Sequence, residues 1–509
     1  MSRNTIDWIG LREFISRAEQ VPGEIVHIDN AHWDREMSTI SHELCRHHPR
    51  PVPAPIFDNI PDYKPGFRTM YAMTNSMNRL AIALGMEPNY HHEMKFLQDY
   101  RTKAKEMADV DAIDPVFVEK SDAPVMENVD RGKDVDLLKF PVPKHHEYDG
   151  GRYIGTATSF ITDNPGMGRK ANLGAYRVQV HSANEAGVYI SPGKHGALDI
   201  DDYWQRDERV PVAASFGQDP ILFYYTSVGI EHTHPYGEYA HTGGLKGHPF
   251  PVVEGPVTGL PLPAHAEIVM EGFIEPHSTH LEGPFGEWQG YYGRDADEEP
   301  LIKVEAVYHR NDPIMTCAVP ARPPYDYSYH KALARSATTW DYLDTAGVPG
   351  IKGVWRTEAG GSRLFNIICI EQRYPGHARQ AGFIAQHVRE GGYANRFTVV
   401  VDDDIDPTSW NEVAWAMSTR CDPATDIDIQ RRTWSTPLDP LVEFHGTEPG
   451  LKNLTFNSRA LIDATIPYER MHNFPKVAEA PREYTEEIID KWREVITGVE
   501  SKEKETVKE

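Results

Sequence analysis

Residues 170–197 read KANLGAYRVQVHSANEAGVYISPGKHGA: two extended runs, Gly174 to His181 and Val188 to Ser191, around a turn rich in Ser, Asn and Gly. Such a turn between β-prone runs predicts a hairpin. If the turn centres between Ala183 and Asn184, Asn172 and His195 are equidistant from it, and the returning strand carries the imidazole back beside the amide. Side chains alternate along a strand, so Arg177 and Gln179 share one face, with Tyr176, Val178 and Val180 on the other. Arg177 can then project toward a ligand. Taken singly, the three residues have ordinary explanations as a turn amide, a loop histidine and a surface charge.

The hairpin sits in a longer stretch of the same texture. From Tyr153 to about Val319 the chain runs through YIGTATSFIT, VPVAASFG, PFPVVEG, AEIVMEGFIEP, LIKVEAVYH and PIMTCAV, β-branched and aromatic runs punctuated by Gly, Pro and Asn. A sheet-rich domain is expected there. Upstream, helices are predicted over about 6–18, 34–45, 76–84 and 91–108, with a short extended piece at 24–28. The proline-dense stretch from His47 to Phe67 reads as an extended surface connector. Downstream, a helix over about 326–346 leads into GIKGVWRT, RLFNIICIEQ, a helix near 378–390, RFTVVVDDDID and a helix near 410–418. That alternation predicts a second α/β unit. The expected fold class is therefore mixed α/β: residues 1–325 with a sheet core at about 150–320, a linking helix at 326–346, an α/β domain at 347–475, and a C-terminal helix with a disordered tip at 476–509. Tyr484, Ile488, Trp492, Val495 and Ile496 share one face of that last helix, which is expected to be docked.

Inside the sheet-rich domain, Leu281-Glu282-Gly283-Pro284-Phe285-Gly286-Glu287 brackets a Gly-Pro-Phe-Gly bend with two acids. Pro284 fixes its own φ, while Gly283 and Gly286 permit conformations closed to other residues, so the bend is specified and the carboxylates are held. Held carboxylates suit proton transfer. Phe285, Trp288, Tyr291 and Tyr292 are positioned to give them apolar surroundings. In HPYGEYAHTGGLKGHPFPVVE, Glu238 falls on a short helix before the Pro251 to Val253 strand. An amide oxygen, an imidazole and a carboxylate form a mixed N/O set suited to Mn²⁺ or Mg²⁺. His232-Thr233-His234 is a weaker rival resembling zinc-hydrolase spacing, and His91-His92 and His145-His146 carry less signal still.

Composition narrows the classes. A formal charge of −24 over 509 residues, with no basic stripe, argues against nucleic acid. Four dispersed cysteines, Cys45, Cys317, Cys369 and Cys421, exclude a disulfide scaffold or a cysteine-zinc module and fit a reduced cytoplasm. No apolar run approaches a membrane span, and the N-terminus has no signal-peptide core.

Taken together, these residues make the chain resemble the UbiD-type reversible decarboxylases that use prenylated FMN, over about residues 10 to 470. The resemblance rests on Arg177 in NLGAYR with Glu282 and Glu287 in LEGPFGE, on Asn172, on His195 in SPGKH and on Glu238 in YGEY. It implies that the sheet-rich domain binds prenylated FMN, with Asn172, His195 and Glu238 holding the manganese that ties the cofactor phosphate to the protein. Ala175, Tyr176, Arg177, Thr226, Ser227 and Val228 would line the flavin, with a potassium ion near that last segment. The modified flavin would act as electron sink through a covalent adduct, Glu287 would deliver the proton, and Glu282 would pair with Arg177. The WAMSTRCDP and DAT segments match the family's second domain, which builds the interface of a homo-oligomer, dimer or hexamer. Tyr325, His330 and Lys331, in RPPYDYSYHK, are the expected substrate residues. They point to an aromatic, heteroaromatic or α,β-unsaturated carboxylic acid, free or as a coenzyme A thioester, with CO₂ as co-product and a separate flavin prenyltransferase as cofactor supplier. Two other readings remain: a metal-only hydrolase or decarboxylase built on His232, His234 and Glu238, and a catalytically idle flavin-binding subunit of a complex.

Overall fold

A computed structural model describes residues 6–108, 110–228, 234–442, 455–492 and 495–496. Nine strands form the central sheet: β1 Asn128–Arg131, β2 Arg152–Tyr153, β3 Thr158–Asn164, β4 Arg169–Gly174, β5 Arg177–Val180, β6 Glu185–Tyr189, β7 Val210–Phe216, β8 Ile268–Glu282 and β9 Asp297–His309. Their order is β2-β5-β6-β9-β8-β7-β3-β4, with β1 joining β9 off this path. β4 and β5 fall toward opposite ends of that order, yet only Ala175 and Tyr176 separate them in sequence. Three Cα steps of 3.8 Å reach at most about 11 Å. The sheet must therefore curl until its ends meet, and Asn172, Ala175, Tyr176 and Arg177 lie along the seam.

The expected hairpin is β5–β6, with Val180 opposite Ala186, Val178 opposite Val188 and Arg177 opposite Tyr189, which centres the turn on Ala183. The pairing stops there. β4 is paired with β3, and His195 opens a helix, α1 (His195–Gln205), so no returning strand carries the imidazole to Asn172. Gly193, at φ +83°, turns the chain out of the extended state. Two further helices interrupt the sheet domain, α2 (Pro220–Val228) and α3 (Gly237–Lys246). α2 is capped by Asp219, whose Oδ1 accepts from Ile221 N at 2.8 Å, with Pro220 as first helical residue.

The proline-dense segment departs from expectation. Ala54–Asp58 is an inner strand of a four-stranded sheet with Ile25–Asp29, Arg68–Met70 and Ile314–Thr316, and Ile56 and Phe57 are buried. Only Pro55 falls inside the strand, and its carbonyl still accepts from Tyr71 N at 3.1 Å, so one missing donor does not break the ladder. Arg79 fastens this region from the core. It is fully buried and donates to Met73 O, Val52 O, Ala72 O, Glu24 O and Glu24 Oε2 at 2.6–3.1 Å. Arg79→Met should cost about 3–5 kcal/mol, because it strands a buried carboxylate and four carbonyls. Urea unfolding would measure it, and a loss under about 1 kcal/mol would contradict the role given to Arg79.

Helix α4 (Ser328–Thr345) leads to a five-stranded sheet ordered Ile351–Arg356, Phe365–Ile370, Phe397–Asp402, Phe456–Ala464, Ile427–Trp434, parallel at its centre and antiparallel at both edges. The largest apolar core joins the N-terminal helices, α4 and this sheet through residues such as Leu11, Phe14, Leu80, Leu333, Trp340, Val400 and Leu461. The remaining unit, from Ile466, contains the helix Arg482–Lys491. Its Tyr484 and Trp492 are exposed; the expected disordered tip lies outside the described residues. No described helix is long and apolar enough to cross a membrane.

Candidate active site

β8 ends at Glu282 and the chain turns through Gly283–Gly286 to Glu287. Arg177, at the start of β5, meets both acids: its Nε and Nη2 grip Glu282 Oε1 and Oε2 at 2.8 and 2.9 Å, and Nη1 donates to Glu287 Oε1 at 3.0 Å. The fork-to-fork pair is geometrically specific, and Glu282 has no exposed surface. Glu287 keeps one oxygen clear of Arg177, and burial pushes its carboxyl above the usual range while Arg177 pulls the other way. Phe285 and Trp288 are buried beside it, whereas Tyr291 is exposed and Tyr292 donates to Asp149, so only part of the expected apolar setting forms.

Gln179, on the same face of β5 as Arg177, accepts from Gly283 N at 2.7 Å. Tyr153 donates to Glu282 at 3.1 Å and packs on Phe285 with ring centres 4.2 Å apart. Gly150 lies so close that an added Cβ would fall 1.8 Å from the Gly283 carbonyl oxygen. The bend is thus clamped from three sides. Gln179 was legible as a face-mate of Arg177, whereas Tyr153 and Gly150 gave no signal of their own. Glu287 opens on a cleft of about 210 Å³ lined also by Thr156, Ala175, Tyr176, Arg177, Tyr189 and Ala318 among others.

The second group of residues converges by another route. Asn172 Nδ2 donates to Thr162 Oγ1 at 3.0 Å, which turns its oxygen the opposite way. Thr162 in turn donates to Asp199 at 2.7 Å, one turn into α1 from His195, so buried Asp199 fixes the helix start against β3 and β4. Glu238, in the first turn of α3, accepts from Leu173 N at 3.0 Å. The Tyr176 ring lies against Gly174 and Gly196, with Glu238 close enough to raise its hydroxyl pKa beyond what burial does. Asn172 and the Glu238 contact to Leu173 N lie at this end of the seam, and His195 starts the helix held there through Asp199; an amide oxygen, an imidazole and a carboxylate are donor types suited to a hard divalent ion. Among the described residues no three His, Cys, Asp or Glu side chains group as a metal site. His234 faces Asp114 at 3.2 Å, and His232 lies outside the described residues.

Thr226, Ser227 and Val228 end α2; Thr226 is bonded to Ser159, and the Ser227 carbonyl accepts from Lys331 Nζ at 2.9 Å. His330 is fully buried, stacked on Tyr327 at 4.8 Å, and burial followed by Lys331 holds its pKa well below the ordinary value. Tyr325 is buried beside Trp288. Nearby Asp326 is pushed up to about 8 by burial, with Val319 N as its one hydrogen-bond donor among the described residues. An acid whose native pKa is raised stabilises the fold most when protonated, and that contribution is lost as pH climbs from the unfolded range near ~3.9 through the native value. Asp326→Asn should flatten the fall in melting temperature between pH 5 and 9; an unchanged slope would assign it to other groups.

A curled sheet with an Arg-bridged carboxylate pair at its seam, one acid of which opens on a cleft, is the geometry of an acid/base centre. The N-terminal, Rift-related and C-terminal domain models of the 3-octaprenyl-4-hydroxybenzoate carboxy-lyase family, UbiD, match residues 18–94, 116–323 and 328–464, and the chain belongs to that family. It is 27% identical over 493 residues to a phenolic acid decarboxylase of Sedimentibacter hydroxybenzoicus, covering 96% of this chain and 98% of the relative. The solved vanillic acid decarboxylase of the same organism, in open form, superposes with a TM-score of 0.79 at 26% identity over 97% and 99% of the two chains. The UbiD-class enzyme HmfF of Pelotomaculum thermopropionicum, in complex with FMN, gives 0.78 at 26% over 93% and 98%. An evolved dimeric form of HmfF has been solved with prenylated FMN, at 0.74 and 25% over 93% and 97%.

Proposed function

We propose that this enzyme reversibly decarboxylates an aromatic or heteroaromatic carboxylic acid with prenylated FMN, using Arg177, Glu282 and Glu287 as its acid/base centre. The observation that carries the reading is the double engagement of Arg177, which holds Glu282 by its fork and Glu287 by its remaining nitrogen, with Glu287 buried and its carboxyl made more basic. Prenylated FMN supplies the electron sink that departure of CO₂ from an sp² carbon requires. Glu287 carries the proton to and from the vacated carbon, and Arg177 orients it. Glu282 neutralises Arg177, so that the guanidinium does not hold Glu287 permanently ionised. Asn172, His195 and Glu238 would hold Mn²⁺ or Mg²⁺, which would supply the positive charge that anchors the cofactor; Ala175, Tyr176 and the Thr226–Val228 segment would line the flavin, with potassium as a further cation. Tyr325, His330 and Lys331 face the substrate. The C-terminal α/β domain makes a homo-oligomer, and a flavin prenyltransferase supplies the cofactor.

The metal-only alternative gives Arg177 no task, and an idle subunit would not need a clamped acid. The test is reconstitution with prenylated FMN and manganese, followed by solvent deuterium exchange into aromatic acids. Exchange supports the proposal; none by fully loaded protein overturns it. His195→Ala should reduce manganese, by elemental analysis, and bound flavin at least about tenfold, since even outer-shell changes at metal sites cost ~10–100-fold. Full occupancy would remove His195 from the ligand set.

A further inference from the structure

We infer that Tyr153 is the positioning residue that tells the two acids apart: its hydroxyl reserves Glu282 as the carboxylate and leaves Glu287 to carry the proton. The inference deepens the decarboxylase reading and rests on its assignment of the proton to Glu287. Tyr153 ends β2 directly opposite Gln179 on β5, so the two side chains share the sheet face of Arg177. Tyr153 and Glu282 have no exposed surface, and Gln179 is buried. Three acceptors are in reach of the phenol: Glu282 Oε1 at 3.1 Å, Gln179 Oε1 at 3.2 Å and Pro284 O at 3.5 Å. It has one hydrogen to give. The two neutral acceptors are already served, Gln179 by Gly283 N at 2.7 Å and Pro284 by Gly150 N at 2.9 Å, whereas Glu282 is charged and nearest. The hydrogen therefore goes to Glu282. Burial, then the Glu282 charge, holds the phenol above its ordinary range, so it stays a donor.

One guanidinium faces two carboxylates. Were both ionised, a net negative charge would be left among buried groups, so the pair retains a proton and titrates as a unit. Glu282 accepts from Arg177 Nε, Arg177 Nη2 and Tyr153, whereas Glu287 accepts from Arg177 Nη1 alone among the described residues. Protonating Glu282 would weaken three charge-assisted bonds; protonating Glu287 weakens one. Arg177 serves both acids, and Tyr153 serves only the first. The other charged groups that face the pair or the phenol are Asp149, His181, Glu299 and Arg363. Asp149 is held by Tyr292 at 3.0 Å and Glu299 by Arg294 at 2.7 Å, while His181 stacks on His280 at 4.0 Å and Arg363 lies 4.3 Å over Trp288. Among the described residues, Tyr153 is the one donor besides Arg177 that reaches either carboxylate.

Tyr153→Phe removes the hydroxyl and keeps the ring that packs on Phe285 at 4.2 Å. Glu282 then competes for the shared proton. In the holoenzyme, kcat for solvent exchange should fall about 10–100-fold, the scale of one hydrogen bond to a charged group, with KM and flavin content unchanged. The alkaline limb of the kcat profile should move to higher pH, because the pair's negative charge has lost a donor. 3-Fluorotyrosine at position 153, a stronger donor of nearly the same shape, should keep the activity and move the limb the other way, and it serves as the second variant should Tyr153→Phe not fold. Infrared difference spectra taken across the titration read the proton without turnover. Wild type should show one protonated-carboxyl band, absent from Glu287→Gln, and Tyr153→Phe should add a second. An unmoved limb with full activity, or a single band unaltered by Tyr153→Phe, overturns this inference and leaves the decarboxylase reading standing. Activity lost together with flavin makes Tyr153 part of the clamp only and overturns it too. No exchange into any acid by loaded wild type sinks the decarboxylase reading itself, and with it the task given to Tyr153.

Discussion

Glu287→Gln should lower CO₂ release and solvent exchange by about 10²–10⁴-fold, the range a positioned general acid contributes. The substitution is close to isosteric, and the amide oxygen can still accept from Arg177 Nη1, so the clamp and the bound flavin should survive. What is lost is the proton. Burial raises the Glu287 carboxyl, so the native protein keeps its acid form to higher pH than an exposed glutamate would. Protonation should therefore decline as pH rises through that raised value, and Glu287→Asp should shift the corresponding limb of the rate profile. By linkage, the group's contribution to stability also fades as pH rises from the unfolded carboxyl range through the native one. Unchanged turnover in Glu287→Gln, measured as label uptake by mass spectrometry, would remove Glu287 from the mechanism.

Arg177→Met should be damaging in two separable ways. Glu282 is fully buried and its partners are Arg177 and Tyr153, so deleting the guanidinium leaves a carboxylate without a counter-charge, at about 3–5 kcal/mol. Activity should fall with it, since Glu287 loses the donor that orients it. Adding Glu282→Gln to Arg177→Met should restore part of the stability but none of the activity, because the buried charge is gone while the proton donor stays unpositioned. Urea unfolding of the single and double variants, with exchange assays on each, distinguishes these effects. If the double variant is no more stable than the single one, the cost lies in lost packing rather than in unpaired charge.

Much of this was readable one element at a time. Alternation over 174–191 located the hairpin to within a residue and put Arg177 and Gln179 on one face, because a period of two is a local property. The helices at Gly10–Ala18, Glu36–His47, Met77–Ala83, Glu93–Ala108 and Ser328–Thr345 follow their apolar spacing. α2 escaped notice because PILFYYTSV is apolar on every side and a buried helix then looks like a buried strand, although Asp219-Pro220 marked its start. α1 left a fainter trace in Gly196, Asp199, Ile200 and Tyr203, a buried stripe at helical spacing. The count of prolines misled at Ala54–Asp58, where position within the strand mattered and number did not.

The sequence by itself determined which residue types could do acid/base and metal chemistry, and the tight bend that holds Glu282 and Glu287 a few residues apart. Tertiary structure alone decided that Arg177, 105 positions from Glu282 in the chain, closes on both acids, and that Glu287 is desolvated. The reason is range: alternation and turn chemistry are set by neighbours along the chain, whereas desolvation and charge pairing depend on atoms that meet only when the sheet curls onto its own seam.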